Sequence, residues 1–230
     1  MLAWITYQPR GLPRVHHHIE LLQGLPLCRV EIGGRPSGLL RLLLRREGRV
    51  LHQSGVREGT WLEDLPPWAK MGLHPVDIVP LRRALLPALL DQAFRQKRLS
   101  PQSASVRLTA EGTSLPVYWA AQLLAERVRY LHLQVGYGQQ ALEDWLLQRY
   151  GLACGGADAA LEVSLCADGP NSALLLGENC PGQEVEYILP PALRDAVPGG
   201  VEGERLLAAL YRQGRLRAGD VSVRRIYFGA

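Results

Sequence analysis

The sequence has few cysteines, almost no lysine and no long apolar run. The four cysteines, Cys28, Cys154, Cys166 and Cys180, form no C-x-x-C pair. The sequence therefore predicts reduced thiols rather than a disulfide framework. No apolar run approaches the length of about 18 residues that a membrane span needs, and the first residues lack the pattern of a signal peptide. We therefore expect a soluble, cytoplasmic protein with no membrane partner.

The basic excess is carried by arginine, because Lys70 and Lys97 are the only lysines among 26 basic residues. The formal net charge is +4 and the pI is about 9.0. The basic residues are scattered, and the densest cluster, "RQGRLRAGD" with "RRIYFGA", lies near the C-terminus. No run of five or six like charges forms a basic tail. This distribution is typical of the coding bias of a GC-rich genome and disfavours nucleic acid as the partner.

The sequence also lacks the signatures of nucleophilic and metal-dependent catalysis. No G-x-S-x-G motif is present, and Ser164 is followed by Leu165 instead of an elbow glycine. The "HHH" run at 16–18 falls in a predicted helix, where consecutive imidazoles point about 100° apart and do not converge on one ion. At most His16 and Glu20 would form a two-ligand surface site, so we predict no metal centre. The remaining histidines are solitary: His52, His74 and His132.

Residues 1–58 predict a small α/β unit. "LAWITY" and "PLCRVEIGG" have strand patterns, "PRVHHHIELLQG" has the proline and glycine placement of a short helix, and "PSGLLRLLLRREG" predicts a helix that ends at Gly48. "RVLHQSG" would then be a returning strand. Residues 59–76 contain three prolines, which predicts a connector without regular elements, packed down by its tryptophans.

Residues 77–230 predict a second, larger domain. It opens with a helix over 77–98, capped by Asp77 and kinked at Pro87. "SVRLTA", the helix pattern from Val117 to Val128, "VRYLHLQV" and the helix "GQQALEDWLLQRYG" follow in alternation. Strand patterns recur at "GLAC", "ADAALEVSL", "SALLLGE", "EVEYILP" and "DVSVRRIYF", with one more helix around Leu206. We predict an α/β fold with a mostly parallel Rossmann-like sheet flanked by helices, beside the smaller N-terminal α/β unit.

Over roughly residues 77 to 190 this order resembles a known family. "VRLTAEG" stands where the first strand and phosphate turn would be, and "VRYLHLQVGYGQQALEDWLLQRYGLAC" where the next strand, helix and strand would be. With the long helix before them, they resemble the cofactor half of the shikimate dehydrogenase and glutamyl-tRNA reductase group. The resemblance implies NAD or NADP as cofactor. "GLHPVDIVPLRRAL" is also similar to uncharacterised proteins of spore-forming Gram-positive bacteria, a likeness that implies no activity.

The phosphate-binding turn of that family is degenerate here. A G-x-G-x-x-G turn needs three glycines, whereas "AEGTSLPVYW" supplies only Gly112. Glu111 places a negative charge beside the expected diphosphate, and Pro116 removes one N–H donor from the helix start. The second strand ends in "LQVGYG", without the acidic residue that would hold a ribose hydroxyl. We therefore expect the dinucleotide phosphate loop to be lost.

A ligand-facing crevice is nonetheless predicted at the carboxyl ends of these strands, where open α/β sheets bind ligands. Gly136 and Gly138 would let the backbone approach a ligand and Tyr137 would stack on a ring; the alternative is a tight turn between strand and helix. The candidate residues are Thr109, Glu111, Gly112, Thr113, Ser114, Gly136, Tyr137 and Gly138.

Three functions follow from the sequence. The leading hypothesis is a non-catalytic binding or regulatory module without a cofactor, whose partner is another protein or a second copy of the chain. The alternative is an NAD(P)-dependent oxidoreductase with a divergent turn, acting in the same crevice. The third, nucleic-acid binding, depends on net charge alone.

Overall fold

The structure is a computed structural model that describes residues 1–61, 65–156, 158–166, 169–170, 172–177, 183–194 and 203–228. The chain divides into two compact units. Unit 1 comprises Met1–Ile78 and Leu189–Asp220, and unit 2 comprises Val79–Ile188 and Val221–Ala230. The sequence division instead placed 189–220 with the second domain. No described helix combines the length and apolar character that a membrane crossing needs.

The elements follow one another in a mixed order of strands and helices. In chain order they are β1 Leu2–Gln8, β2 Arg14–Leu22, β3 Leu25–Gly33, α1 Gly38–Gln53, β4 Glu58–Trp61, a 3-10 turn Pro67–Lys70, β5 His74–Pro75, α2 Val79–Ala84, α3 Leu86–Lys97, β6 Ser105–Gly112, α4 Leu115–Ala125, β7 Tyr130–Tyr137, α5 Gln139–Tyr150, β8 Leu161–Ser164, β9 Leu174–Leu175, β10 Glu184–Ile188, α6 Pro191–Arg194, α7 Gly203–Arg212, a 3-10 turn Ala218–Asp220 and β11 Ser222–Tyr227.

Unit 1 is built on a five-stranded sheet in the order β2-β3-β1-β4-β5. All neighbours are parallel except β2 and β3, which form an antiparallel pair. Helix α1 connects β3 to β4, which lie on either side of β1. Its leucines Leu40, Leu44 and Leu51 are buried in one apolar cluster with Ile5 and Val30. The sheet and this helix thus share one hydrophobic core.

The predicted helix over "PRVHHHIELLQG" is wrong, because these residues form strand β2. Gln23 and Gly24 both have positive φ, which matches the two-residue turn of a β-hairpin. That turn pairs β2 with β3 along its whole length, from Arg14 opposite Gly33 to Leu22 opposite Leu25. Pairing with β3 therefore determines that these residues form a strand. The proline and glycine at the ends of the segment do not reveal this pairing.

Helix α1 continues past Gly48, so the predicted stop and the predicted strand "RVLHQSG" are both wrong. Gly48 is buried within the helix, and a Cβ at this position would lie 2.8 Å from the carbonyl oxygen of Met71. The glycine serves close packing against the chain after the 3-10 turn instead of ending the helix.

The stretch 59–76 also contains regular structure. Strand β4 pairs in parallel with β1, and β5 pairs with β4. The three prolines lie outside β4 and so do not interrupt its pairing. Trp61 and Leu73 are buried, and their packing in the core stabilises this stretch. The expectation of a connector without regular elements is wrong on this point.

The segment 189–220 joins unit 1 through α7. Its leucines Leu206, Leu207 and Leu210 are buried, and Arg212 donates hydrogen bonds to both oxygens of Glu58, at 2.9 and 3.0 Å. An amphipathic helix with one leucine face needs such a partner surface.

Unit 2 contains a four-stranded, entirely parallel sheet in the order β7-β6-β8-β9. Residues Val106 and Leu108 on β6 are fully buried, and α4 and α5 lie side by side, with the rings of Tyr118 and Trp145 at 5.2 Å. The chain is thus an α/β protein with parallel sheets flanked by helices, which confirms the predicted fold class.

Three details of unit 2 bear on the predicted elements. The helix predicted over 77–98 is divided into α2 and α3 at Leu85, two residues before Pro87, so the predicted kink is confirmed. The predicted strand "GLAC" has no strand structure. The last strand, β11, pairs antiparallel with β10 in a separate ribbon. Gln96 of α3 holds β11, because its side chain both donates to Ile226 O and accepts from Ile226 N.

Candidate functional site

The order of the parallel strands places a topological switch point beside β6. The chain passes from β6 to β7 on one side and then returns to β8 on the other side. Ligands of open α/β sheets bind outside the carboxyl ends of the strands at such a point. A cleft of about 380 Å³ lies there, which we call the switch-point cleft. It is lined by Arg83, Ala110, Glu111, Gly112, Thr113, Ser114, Val117 and Leu165.

Four of the predicted residues line this cleft, namely Glu111, Gly112, Thr113 and Ser114. Thr109 does not. It lies one residue before Ala110 on β6, so its side chain is on the opposite face of the sheet. There its hydroxyl donates a 2.9 Å hydrogen bond to Glu162 Oε1. The hydroxyl of Thr109 is therefore bonded to the neighbouring strand β8 and not directed into the cleft.

The "GYG" residues at the end of β7, Gly136 to Gly138, do not line the cleft. A Cβ on Gly136 would collide with the carbonyl oxygen of Glu111, and Gly138 has a φ of +79° beside the side chain of Thr113. Gly136 thus allows the close approach of β6, and Gly138 allows the entry into α5. This geometry favours the tight turn between strand and helix over a backbone that approaches a ligand. Tyr137 is 83% exposed.

The turn after β6 leads into the start of helix α4, and one of its backbone donors is already used. Ser114 is the N-cap of α4, and its side chain makes no capping bond. Thr113 N–H donates to Tyr137 O at 2.9 Å, so one of the turn's donors is already used. A Cβ on Gly112 would contact Tyr137 at 3.3 Å. The missing side chain of Gly112 therefore makes room for the neighbouring strand instead of for a ligand.

Arg83 is the charged residue of the cleft that sequence reasoning missed. It is half-buried on α2, and its Nε donates to Leu176 O at 3.4 Å. Its neighbour Arg82 is only 1% exposed and donates to Gln183 O at 2.7 Å. Two adjacent arginines on one short helix necessarily point in different directions, and the "LRR" sequence alone does not tell which one faces the cleft.

Ser164 and His132, which the sequence offered as isolated candidates, both lie in packed, buried surroundings. Ser164 is completely buried, and its Oγ accepts a hydrogen bond from Cys166 N at 3.2 Å. His132 is 8% exposed, and a Cβ on Gly156 would collide with its ring. Within the described residues, no group of three or more His, Cys, Asp or Glu side chains is arranged to hold a metal ion.

The "HHH" run lies on an extended strand, so its imidazoles alternate between the two faces of the sheet. His17 contacts Glu47 of α1, while His18 lies 3.8 Å from Glu20. His16 and Glu20 share a face with His18, since they are two residues away on either side.

Two of the cysteines have poorly reactive surroundings. Burial, reinforced by the Glu143 carboxylate, raises the pKa of Cys154 to about 11. Burial and Glu47 also raise the pKa of Cys28. Because the thiolate is the nucleophile, these shifts oppose nucleophilic chemistry. Cys28, Cys154 and Cys166 are free thiols, and Cys180 lies outside the described residues.

Comparisons with known proteins add little to this geometry. The sequence matches no protein-family model and has no significant match among curated proteins. The fold comparison finds L-tryptophan dehydrogenase from Nostoc punctiforme, with a TM-score of 0.34 and 13% sequence identity over 68% of this chain. The match covers 51% of that enzyme, so the chain spans about half its length. The resemblance to the shikimate dehydrogenase and glutamyl-tRNA reductase group stays a prediction.

Proposed function

We propose that the protein is a non-catalytic binding or regulatory module whose Rossmann-like unit has lost the dinucleotide phosphate loop. The observation that carries this proposal is the lining of the switch-point cleft. Glu111, Thr113 and Ser114 occupy the turn where a dinucleotide fold needs glycines and free backbone N–H groups.

The charge of Glu111 opposes a diphosphate at this position. Two like charges about 4 Å apart repel by about 4 kcal/mol at an effective dielectric constant near 20. Glu111 is exposed, so water screens part of this repulsion. Pro116 adds to the loss, since it lies in the first turn of α4 and has no N–H to donate.

Three residues that could take part in catalysis, Ser164, His132 and Cys154, have surroundings that do not favour it. A general base must reach the group it deprotonates, and a nucleophile needs an adjacent base. Ser164 is buried and bonded to the backbone, His132 is enclosed by the chain at Gly156, and the pKa of Cys154 is raised. A role in binding a partner protein or a second copy fits this set better than a reaction does.

One observation favours the alternative, an NAD(P)-dependent oxidoreductase with a divergent turn. Arg83 brings a guanidinium into the lining of the cleft, beside the N-terminus of α4. A guanidinium binds phosphate oxygens in bidentate fashion. Arg83 would therefore replace part of the phosphate binding that a glycine-rich turn provides.

Calorimetric titration with NADP and NAD distinguishes the two functions. We expect no saturable binding by the native protein at cofactor concentrations up to about 1 mM, which corresponds to about 4 kcal/mol of binding free energy. The double variant Glu111→Gln with Ser114→Gly should acquire weak binding, since it removes the charge and one obstructing side chain. Saturable one-site binding by the native protein that Arg83→Gln abolishes would show a dinucleotide site in the cleft, favour the oxidoreductase and reject the proposal.

A further inference from the structure

Helix α1 of unit 1 carries a row of arginines on one face. Arg41, Arg45 and Arg49 are spaced four residues apart, so their Cα atoms rise by about 6 Å from one to the next. All three are exposed. The row exists because α1 continues through Gly48, which brings Arg49 onto the same helix as the other two.

The row borders a groove of about 830 Å³ in unit 1, which we call the arginine groove. Its lining includes Arg41, Arg45, Arg49, His52, Trp68 and Met71. Met71 approaches the helix at Gly48, where a side chain would leave too little room. The groove thus has a cationic wall on α1 and an apolar wall after β4.

An aromatic ring lies in the apolar wall. Trp68 is half-buried and packs edge-on against Tyr7, with ring centroids at 5.7 Å and an angle of 86° between the planes. This contact fixes the indole while part of its surface stays accessible. At the end of the row, Arg57 donates to His52 Nδ1 at 2.6 Å, so a further cation lies beside a groove residue.

The positive charge of the row is not balanced within the described part of the chain. None of the three arginines has an ion-pair partner there. Like charges four residues apart on a helix destabilise it, and α1 has no acidic residue in its first turn to offset them. Glu47, the acidic residue of α1, contacts His17 instead. A bound anion would relieve this repulsion.

We propose that the arginine groove binds single-stranded nucleic acid, with successive phosphates along Arg41, Arg45 and Arg49 and a base against Trp68. Single-strand binding surfaces combine a positively charged groove that follows the backbone with an aromatic ring on which a base stacks. An acidic peptide would offer charges without flat rings. A duplex keeps its bases stacked inside, where Trp68 would not reach them.

Fluorescence anisotropy with labelled 20-nucleotide oligo-dT and oligo-U, titrated with the whole protein at several salt concentrations, tests this site. Three phosphate contacts predict a slope of about −2 in a plot of log K against log salt. The triple variant R41Q/R45Q/R49Q should bind at least about tenfold more weakly and lose most of that slope. The control R10Q/R35Q/R46Q removes three exposed arginines that do not line the groove and should change affinity by about twofold or less.

The stacking contact is tested separately at Trp68. Trp68→Leu should weaken binding by about tenfold, whereas Trp68→Phe should keep most of the affinity. Circular dichroism and urea unfolding of each variant establish that it is folded before its binding is compared. Equal losses in the groove and control variants, tighter binding of a duplex of the same sequence, or no saturable binding by the native protein at 50 mM salt would each overturn the proposal.

Discussion

The arginine groove of unit 1 and the switch-point cleft of unit 2 differ in size and in charge. The groove is about 830 Å³ and its charged lining is entirely basic. The cleft is about 380 Å³ and combines Arg83 with Glu111. The cleft occupies the place where this kind of sheet binds ligands, and we propose that the carboxylate of Glu111 in its lining opposes a diphosphate there. The fold therefore indicates where a site would be, while the side chains decide whether one remains.

The largest expected effect comes from the buried arginine next to the cleft. Arg82 is 1% exposed and donates to the carbonyl oxygens of Leu175 and Gln183. Arg82→Ala should lower the free energy of unfolding by about 3 kcal/mol, because it leaves buried carbonyls without donors. Urea denaturation measures this change.

The matched control is the neighbouring variant Arg83→Ala, which should cost about 1 kcal/mol or less because Arg83 is partly exposed. Equal costs for the two variants would contradict the division between a structural Arg82 and a cleft-facing Arg83.

The second prediction concerns the glycines at the end of β7. Gly136→Ala should destabilise the protein by about 2 to 3 kcal/mol, because the new Cβ would collide with backbone at Glu111 O and cannot be relieved by a rotamer change. Gly155→Ala is the control, since nothing lies within 4 Å of its Cβ position. If thermal unfolding shows no loss of stability in Gly136→Ala, the glycine is not needed for packing against β6. The interpretation that it lets the backbone approach a ligand would then be favoured.

The third prediction follows from the raised pKa of Cys154. The unfolded thiol loses its proton near its ordinary pKa of 9.0, whereas the folded thiol keeps it to about pH 11. The folded state therefore binds more protons in this interval, so the free energy of unfolding falls as pH rises through it. Stability contributed by this group is complete below pH 9.

Alkylation by iodoacetamide at pH 8.5, followed by peptide mass spectrometry, measures the same effect directly. Cys154 should react at least about tenfold more slowly in the folded protein than in urea, because less thiolate is present. Cys154→Ser should flatten the fall in stability above pH 9. Equal reaction rates in the folded and unfolded protein would show that the thiol is not shielded.

The smallest expected effect is a gain in stability within the arginine row. Arg45→Glu converts two like-charge pairs into two attractive pairs, with Arg41 and Arg49, and should stabilise unit 1 by about 0.5 kcal/mol. Arg10→Glu makes the same charge change outside the helices and serves as the control. A loss of stability in Arg45→Glu would mean that the row is already neutralised in the folded protein.

The parallel sheet of unit 2 was predictable because its residues carry strong local patterns. Val106, Leu108 and Ala110 alternate on β6, and the apolar stripe from Val117 to Leu124 recurs at helical spacing, so each element is specified by its own sequence. The degenerate turn at Glu111 and Gly112 was visible for the same reason. Fold class and the position of the cleft follow from such patterns.

What the sequence did not reveal depends on contacts between distant residues. Gly48 has the appearance of a helix stop, and only its packing against Met71 shows why α1 continues and aligns Arg49 with Arg41. Strand β2 is decided by its pairing with β3, not by its own pattern. Arg83 enters the cleft because Arg82 is directed into the core.

Hydrogen–deuterium exchange of one protein sample, alone, with NADPH and with oligo-dT, tests the central comparison most directly. Oligo-dT should slow exchange in α1 and around residues 67–72, and NADPH should leave residues 109–118 unchanged. Protection of 109–118 by NADPH, with none in α1 under oligo-dT, would contradict the account.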